Sequence, residues 1–312
     1  MEKVLIIGVN GFVGTHLCHE LIENGYECYG ADLNDQNFNI KEVVFQQIDI
    51  LKYDMVSELI KKIEPDYIIN LAAISSVKLS WEIPQKTFDI NVNGTLNILE
   101  AIRKNNLMKT RILLIGSSEQ YGDIDYSKPV SEEYELNALN PYGISKATQE
   151  KVAKLYVKAY NMEIIMVRAF NHIGPGQGKG FVVPDFCSQI VEIEKEKREP
   201  IMNVGNLAAK RDFTDVRDIV KAYRLLLEKG KKGEVYNVGS GNAISIEDIL
   251  KQLIVICKKE IDVVKDQSKF RTIDTPTIVC DNGKLIRDTN WSRSYSINES
   301  LISILSYWRT LM

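Results

Sequence analysis

Gly8-Val9-Asn10-Gly11-Phe12-Val13-Gly14 follows the apolar run Val4-Leu5-Ile6-Ile7 with no spacer. A short apolar run cut off by glycine reads as a strand buried on both faces. Glycines at i, i+3 and i+6 then turn the chain sharply into a helix. Gly8 permits the turn, Gly11 lets backbone approach a pyrophosphate, and Gly14 lets helix and strand pack closely. The N-terminus of that helix offers free N–H groups and the positive end of its dipole, with Asn10, Phe12 and Val13 around it. Asp32 ends the next strand-like segment, Tyr26 to Leu33. A carboxylate there accepts from both hydroxyls of a ribose and repels a 2′-phosphate. The pattern points to a dinucleotide, with NAD(H) favoured by Asp32 and NADP(H) left open.

The rhythm continues past this turn. Gly11 to Asn24 has helical spacing, Val43 to Ile48 is strand-like, and Met55 to Ile63 reads as a helix stopped before Pro65. Tyr67 to Leu71 is a strand, Thr87 to Arg103 a helix, and Arg111 to Ile115 a strand. Tyr142 to Tyr160 is a long helix and Ile164 to Val167 a further strand. Such alternation predicts an α/β fold, a doubly wound parallel sheet covered on both faces. Asp49 and Ile50 follow the third strand, where an Asp can accept from an adenine amino group or simply cap a helix. Leu71, Ala72 and Ala73 follow the fourth, where small residues let backbone pass close to a cofactor.

After Arg168 the pattern changes. Residues 172–180 are dense in glycine and proline and must form a loop. A helix from Pro184 to Lys195, short strands, and helices near 245–258 and 297–310 follow. We expect a dinucleotide domain over 1–168, with segments near 212–238 packing back on it. A smaller mixed α/β domain is expected over 169–312.

Composition narrows the function classes. Thirty-nine Lys and Arg against forty-two Asp and Glu leave a formal charge of −3, which argues against a nucleic-acid or anionic-membrane surface. No apolar stretch approaches the ~20 residues of a membrane span, so a cytoplasmic location is expected. The five cysteines are widely spaced with no C-x-x-C pair, as in a reducing compartment. His16 and His19 share a helix face without a third ligand nearby, so no metal site is expected.

Ser117 and Ser118 follow the fifth strand, and Tyr142 and Lys146 lie four apart on the long helix. That spacing puts phenol and ammonium on one face. A phenol has a pKa near ~10 and gives up its proton poorly at neutral pH. A neighbouring Lys⁺ and a nicotinamide cation draw that pKa down. Ser117 can hold a substrate oxygen. The set suits moving a proton on a carbinol or carbonyl while a nicotinamide moves a hydride.

On these residues the chain resembles the extended short-chain dehydrogenase/reductases over nearly its whole length. The likeness also includes Asn91-Val92-Asn93-Gly94-Thr95 and Asn171 after the sixth strand. It implies a Rossmann domain followed by a nucleotide-sugar domain, and a homodimer built through paired helices. It also places Asn91 with the cofactor residues, as a structural group or one acting on the lysine through water. Within the family, residues 117–122, 168–177, 180–182, 204–207 and 211–216 look most like the reductases of GDP-4-keto-6-deoxy-mannose. The resemblance thus implies reduction of a C4 ketone on a GDP-linked sugar. A diphosphate needs fixed cations, for which Arg211 and Arg271 are the candidates. Arg211 can instead pair with Asp212, and Arg271 can be a plain loop charge. Asn171 suits a sugar hydroxyl or phosphate, Val182 falls where the family uses backbone, and Asp274 can meet the nucleoside. The rivals are a nucleotide-sugar 4,6-dehydratase, with Glu119 as base beside Ser118, a 4-epimerase, and a non-catalytic NAD-binding module.

Overall fold

The computed structural model describes residues 1–35, 38–270 and 277–312. Its strands are β1 (Lys3–Ile7), β2 (Glu27–Asp32), β3 (Val44–Gln47), β4 (Tyr67–Asn70), β5 (Arg111–Ser117), β6 (Ile164–Ala169), β7 (Asn171–Ile173), β8 (Ile201–Val204), β9 (Lys210–Asp215), β10 (Val235–Val238), β11 (Ala243–Ser245) and β12 (Asp262–Lys265). The large sheet has seven strands in the order β10-β6-β5-β4-β1-β2-β3. Every pairing in it is parallel.

The apolar run at the chain start explains the layering. Successive side chains of a strand point to opposite faces. Val4 and Ile6 pack with Leu17 and Leu21 of α1 (Phe12–Glu23). Leu5 and Ile7 face the other way, onto Leu59, Ile60 and Ile63 of α2 (Tyr53–Ile63). Two short helices follow, α3 (Val77–Glu82) and α4 (Pro84–Phe88). Then come α5 (Gly94–Lys104) and the long α6 (Pro141–Tyr160), which complete the second layer through Ile98, Leu99, Ile102 and Ala153. Pro141 opens α6, where its missing N–H costs nothing, and the Asn140 side chain accepts from the Gly143 N–H at 2.8 Å.

The helix expected from Thr87 to Arg103 proves to be composite. A π-helical turn over Asp89–Asn93 joins α4 to α5. Its extra residue rotates Asn91 into the interior. The fifth strand also runs two residues beyond Ile115, so Ser117 is its last residue.

The remaining helices are α7 (Val182–Glu194), α8 (Val216–Lys229), α9 (Ile246–Cys257), α10 (Gly283–Thr289) and α11 (Ile297–Leu311). Of these, α7, α9 and α11 close a separate core around Val183, Ile190, Ile249, Leu253, Leu301 and Ile304. Beside it lie the sheets β11-β9-β7 and β12-β8. By contrast, α8 packs on α1, and Leu285 of α10 and Trp291 join the α1 side of the large sheet. No helix among the described residues is long and apolar enough to cross a membrane.

One buried ion pair joins the layers. Arg168 of β6 and Glu150 of α6 are 3% and 5% exposed. They meet through Nε at 2.8 Å and Nη2 at 2.7 Å. Burial alone pushes the Glu150 carboxyl up, but the hydrogen bonds and charges of Arg168 and Lys154 outweigh it and hold the group below its ordinary range. A carboxyl lowered by folding stabilises the protein above its unfolded pKa and loses that effect as pH falls through its folded value. Arg168→Met should therefore cost about 3–5 kcal/mol at pH 7 in urea unfolding. The difference from wild type should shrink as pH falls below the ordinary carboxylate range, through the lowered folded value of Glu150.

Candidate active site

The three fingerprint glycines do different work. Gly8 has φ +86°, and a Cβ there would lie 2.6 Å from the Ala72 nitrogen. At Gly14 a Cβ would collide with the Val9 carbonyl oxygen. Both are demanded by the protein's own packing. Gly11 is exposed, and a Cβ on it would meet only the Gly8 oxygen, at 3.3 Å. It stands at the start of α1, which no side chain caps. The open backbone face, the uncapped helix end and the half-buried Asp32 carboxylate gather at one edge of the sheet. Asp32 Oδ2 accepts from the Asn10 N–H at 3.0 Å, which ties β2 to the glycine turn. This donor and acceptor set fits the phosphates and ribose of a dinucleotide.

Phe12 stacks on His172 at 6.0 Å and 12°, and a His16 ring nitrogen lies 2.7 Å from the Pro175 oxygen. The loop after β7 is thereby held against α1, with Val13 beside it in the first turn. Asp49 Oδ1 accepts from the Leu51 N–H at 2.9 Å and so shapes the turn before α2, whose N-cap position is held by Lys52 rather than by Asp49. Ile50 is buried; its side chain lies where a Cβ on Gly94 would go, and its carbonyl accepts from Asn97. Leu71, Ala72 and Ala73 form a half-buried loop after β4. Asn91 holds the end of that loop, accepting from the Ile74 N–H at 2.9 Å while donating to the Ile74 oxygen and to Ser145 Oγ.

Tyr142 lies beside Ser117, close enough for the serine to draw the phenol's pKa down. Ser80 of α3 accepts from the Tyr142 N–H at 3.2 Å and so helps seat the start of α6. Burial pushes the phenol up to about 12; Ser117 draws it down and the charge of Glu119 adds to the rise. Lys146 is 4% exposed, and burial lowers it to about 7. Its ammonium donates to the Ile115 oxygen at 2.7 Å and to Gln149 Oε1 at 3.1 Å. Sequence spacing predicts a phenol acidified by this lysine. The protein alone does the reverse, because burial dominates both groups and the phenol's neighbours are Ser117 and Glu119.

Ser118 and Glu119 sit half-buried in a 3₁₀ turn after Ser117. Asn140 Nδ2 donates to Glu119 Oε2 at 2.9 Å, so one asparagine holds both this carboxylate and the start of α6. Sequence reasoning did not single out Asn140, Ser80 or Gln120. Asn140 alone carried a signal, an N-cap residue directly before proline.

Toward the second core, Asn171 is exposed at the start of β7 and Val182 opens α7. Arg211 is 8% exposed on β9, with Nη1 donating to the Lys210 oxygen at 2.8 Å. Its neighbour Asp212 accepts from Ser240 N–H and O–H, Gly241 N–H and Cys280 N–H. Arg271 and Asp274 lie outside the described residues.

A family model described as GDP-mannose 4,6 dehydratase matches residues 5–304. The GDP-6-deoxy-D-mannose reductase of Pseudomonas aeruginosa is 31% identical over 310 residues, covering 99% of this chain and 98% of the relative. The structure of RMD from Pseudomonas aeruginosa with NADPH superposes at a TM-score of 0.88 with 30% identity, covering 100% of both chains. UDP-glucose 4-epimerase of Thermotoga maritima with UDP-glucose gives 0.90 at 25% identity, covering 99% of each.

The unequal glycines separate stability from binding. Gly14→Ala should destabilise by about 1–3 kcal/mol in denaturant unfolding, because helix and turn must part. Gly11→Ala should unfold like wild type yet weaken NADH binding by about tenfold or more in a fluorescence titration.

Proposed function

Because this chain belongs to the GDP-mannose 4,6 dehydratase family, whose members are NAD(P)-dependent nucleotide-sugar enzymes, we propose that it reduces the C4 ketone of GDP-4-keto-6-deoxy-D-mannose to GDP-D-rhamnose. The observation that carries this reading is the buried Tyr142 phenol beside Ser117. At about 12 the phenol is protonated at neutral pH, so it carries the proton that an oxygen gaining negative charge takes up. A reduced nicotinamide, when bound, supplies the hydride. Ser117 Oγ holds the ketone oxygen, and Tyr142 delivers its proton to that oxygen as it gains negative charge. Lys146 reaches the ribose next to the nicotinamide and steadies the phenolate left behind. The charge it needs for this is favoured below about pH 7 in the protein alone, since burial disfavours the ammonium.

The remaining roles follow the same reading. Gly8, Gly11 and Gly14 with the first turn of α1 cradle the pyrophosphate, and Asp32 binds the adenosine ribose and favours NADH. Arg211 and Arg271 meet the sugar diphosphate, with Asn171, the Val182 backbone and Asp274 along the nucleotide. Residues 1–168 serve the cofactor and 169–312 the sugar nucleotide. The whole-length likeness to a GDP-6-deoxy-D-mannose reductase supports the choice of substrate. Ile144 and Leu155 are 44% and 59% exposed on the outer side of α6. They suit the helix pairing of a homodimer, and we place the enzyme in the cytoplasm.

A second reading has one observation in its favour. The Glu119 carboxylate is fixed by Asn140 and close enough to raise Tyr142, which supports it as the base that a 4,6-dehydratase needs. Incubation with each sugar nucleotide separates the two. Reductase action consumes one reduced nicotinamide for each GDP-4-keto-6-deoxy-mannose. Dehydratase action converts GDP-mannose with no net consumption. Tyr142→Phe should lower turnover about 10²–10⁴-fold while NADH binding stays close to wild type. Asp32→Ala should narrow the preference for NADH over NADPH, measured as a ratio of kcat/KM values.

A further inference from the structure

Ser117 has its backbone on β5 and its hydroxyl against Tyr142 on α6. A hydroxyl that spans two elements is placed only as well as the joint between them. Gln120 makes that joint. Its side chain is fully buried. Oε1 accepts from the Ser117 N–H at 2.8 Å, and Nε2 donates to Glu150 Oε2 at 2.9 Å. Glu150 lies about two turns along α6 from Tyr142. Arg168 grips Glu150 from β6, where it stands in register with Gly116.

The position calls for a carboxamide. It must accept from a backbone N–H and donate to a carboxylate, which no apolar, carboxylate or ammonium side chain does at once. Space for it comes from Gly116, since a Cβ there would collide with Gln120 Oε1. We propose that Gln120 is a positioning residue that registers the Ser117 hydroxyl against Tyr142 through Glu150 and Arg168. The proposal rests on the reading of Ser117 and Tyr142 as the reacting pair.

Two variants test it. Gln120→Leu removes both hydrogen bonds while leaving Glu150 with Arg168 and Lys154. Gln120→Met keeps the length of the side chain without either hydrogen bond, and it too leaves Glu150 with Arg168 and Lys154. Amide hydrogen exchange and steady-state kinetics are measured for wild type and both variants. In Gln120→Leu, exchange at Ser117 should quicken by about tenfold or more while the β1 amides keep their protection. Its kcat should fall by about 10²-fold with substrate KM within about twofold, and Gln120→Met should show the same split. Unchanged exchange at Ser117 in Gln120→Leu, or faster exchange with wild-type kcat, overturns the proposal. If wild-type protein reduces no keto-sugar, the proposed function fails by itself. Exchange at Ser117 then decides: quickened in both variants it sustains Gln120, and unchanged it overturns it.

Discussion

The carboxylate of Glu150 is the group to which the centre of this fold is tied. Buried on α6, it would be intolerable alone, because an ionised carboxylate out of water must find partners or take up a proton. Four donors reach it: Gln120 Nε2, Lys154 Nζ and the Nε and Nη2 of Arg168. They come from the turn after β5, from α6 and from β6, so satisfying one charge fixes three elements. Arg168 carries the network on, donating to the Tyr121 hydroxyl at 2.9 Å, which donates to Asn237 Oδ1 at 2.6 Å. Asn237 belongs to β10, so the edge strand that returns late in the chain is anchored to the same charge.

Around that anchor the two ends of the candidate site obey different physics. At the glycine turn, close packing sets residue choice at Gly8 and Gly14, while Gly11 keeps backbone open toward solvent. At Tyr142 and Lys146, desolvation sets the charge states, and both groups lean toward neutrality. A neutral phenol beside a serine hydroxyl suits proton donation to an oxygen gaining electrons.

Much of this was legible in the sequence where a short-range rule applies. The run Val4–Ile7 and its glycines announce strand, turn and helix. The four-residue step from Tyr142 to Lys146 places both on one face of a helix. Long-range partners were not legible. Gln120 reads as an ordinary polar residue until the fold brings Glu150 to it from thirty positions away. Asn91 turns inward because a π-helical turn adds a residue, which periodicity does not announce. The apolar set of α8, Ile219, Val220, Tyr223 and Leu226, has clear helical spacing, yet only the tertiary structure shows that it covers the first layer beside α1. Lys146 points to a β5 carbonyl for the same reason: spacing gives the face of a helix, and packing decides the partner.

The central claim is that the buried Ser117–Tyr142 pair serves hydride addition at a C4 ketone. Transfer of label from a reduced nicotinamide deuterated at its 4-position tests it most directly. Product isolated from GDP-4-keto-6-deoxy-mannose should carry one deuterium at C4 for each cofactor oxidised. Product free of label, formed without net oxidation of the cofactor, would contradict it.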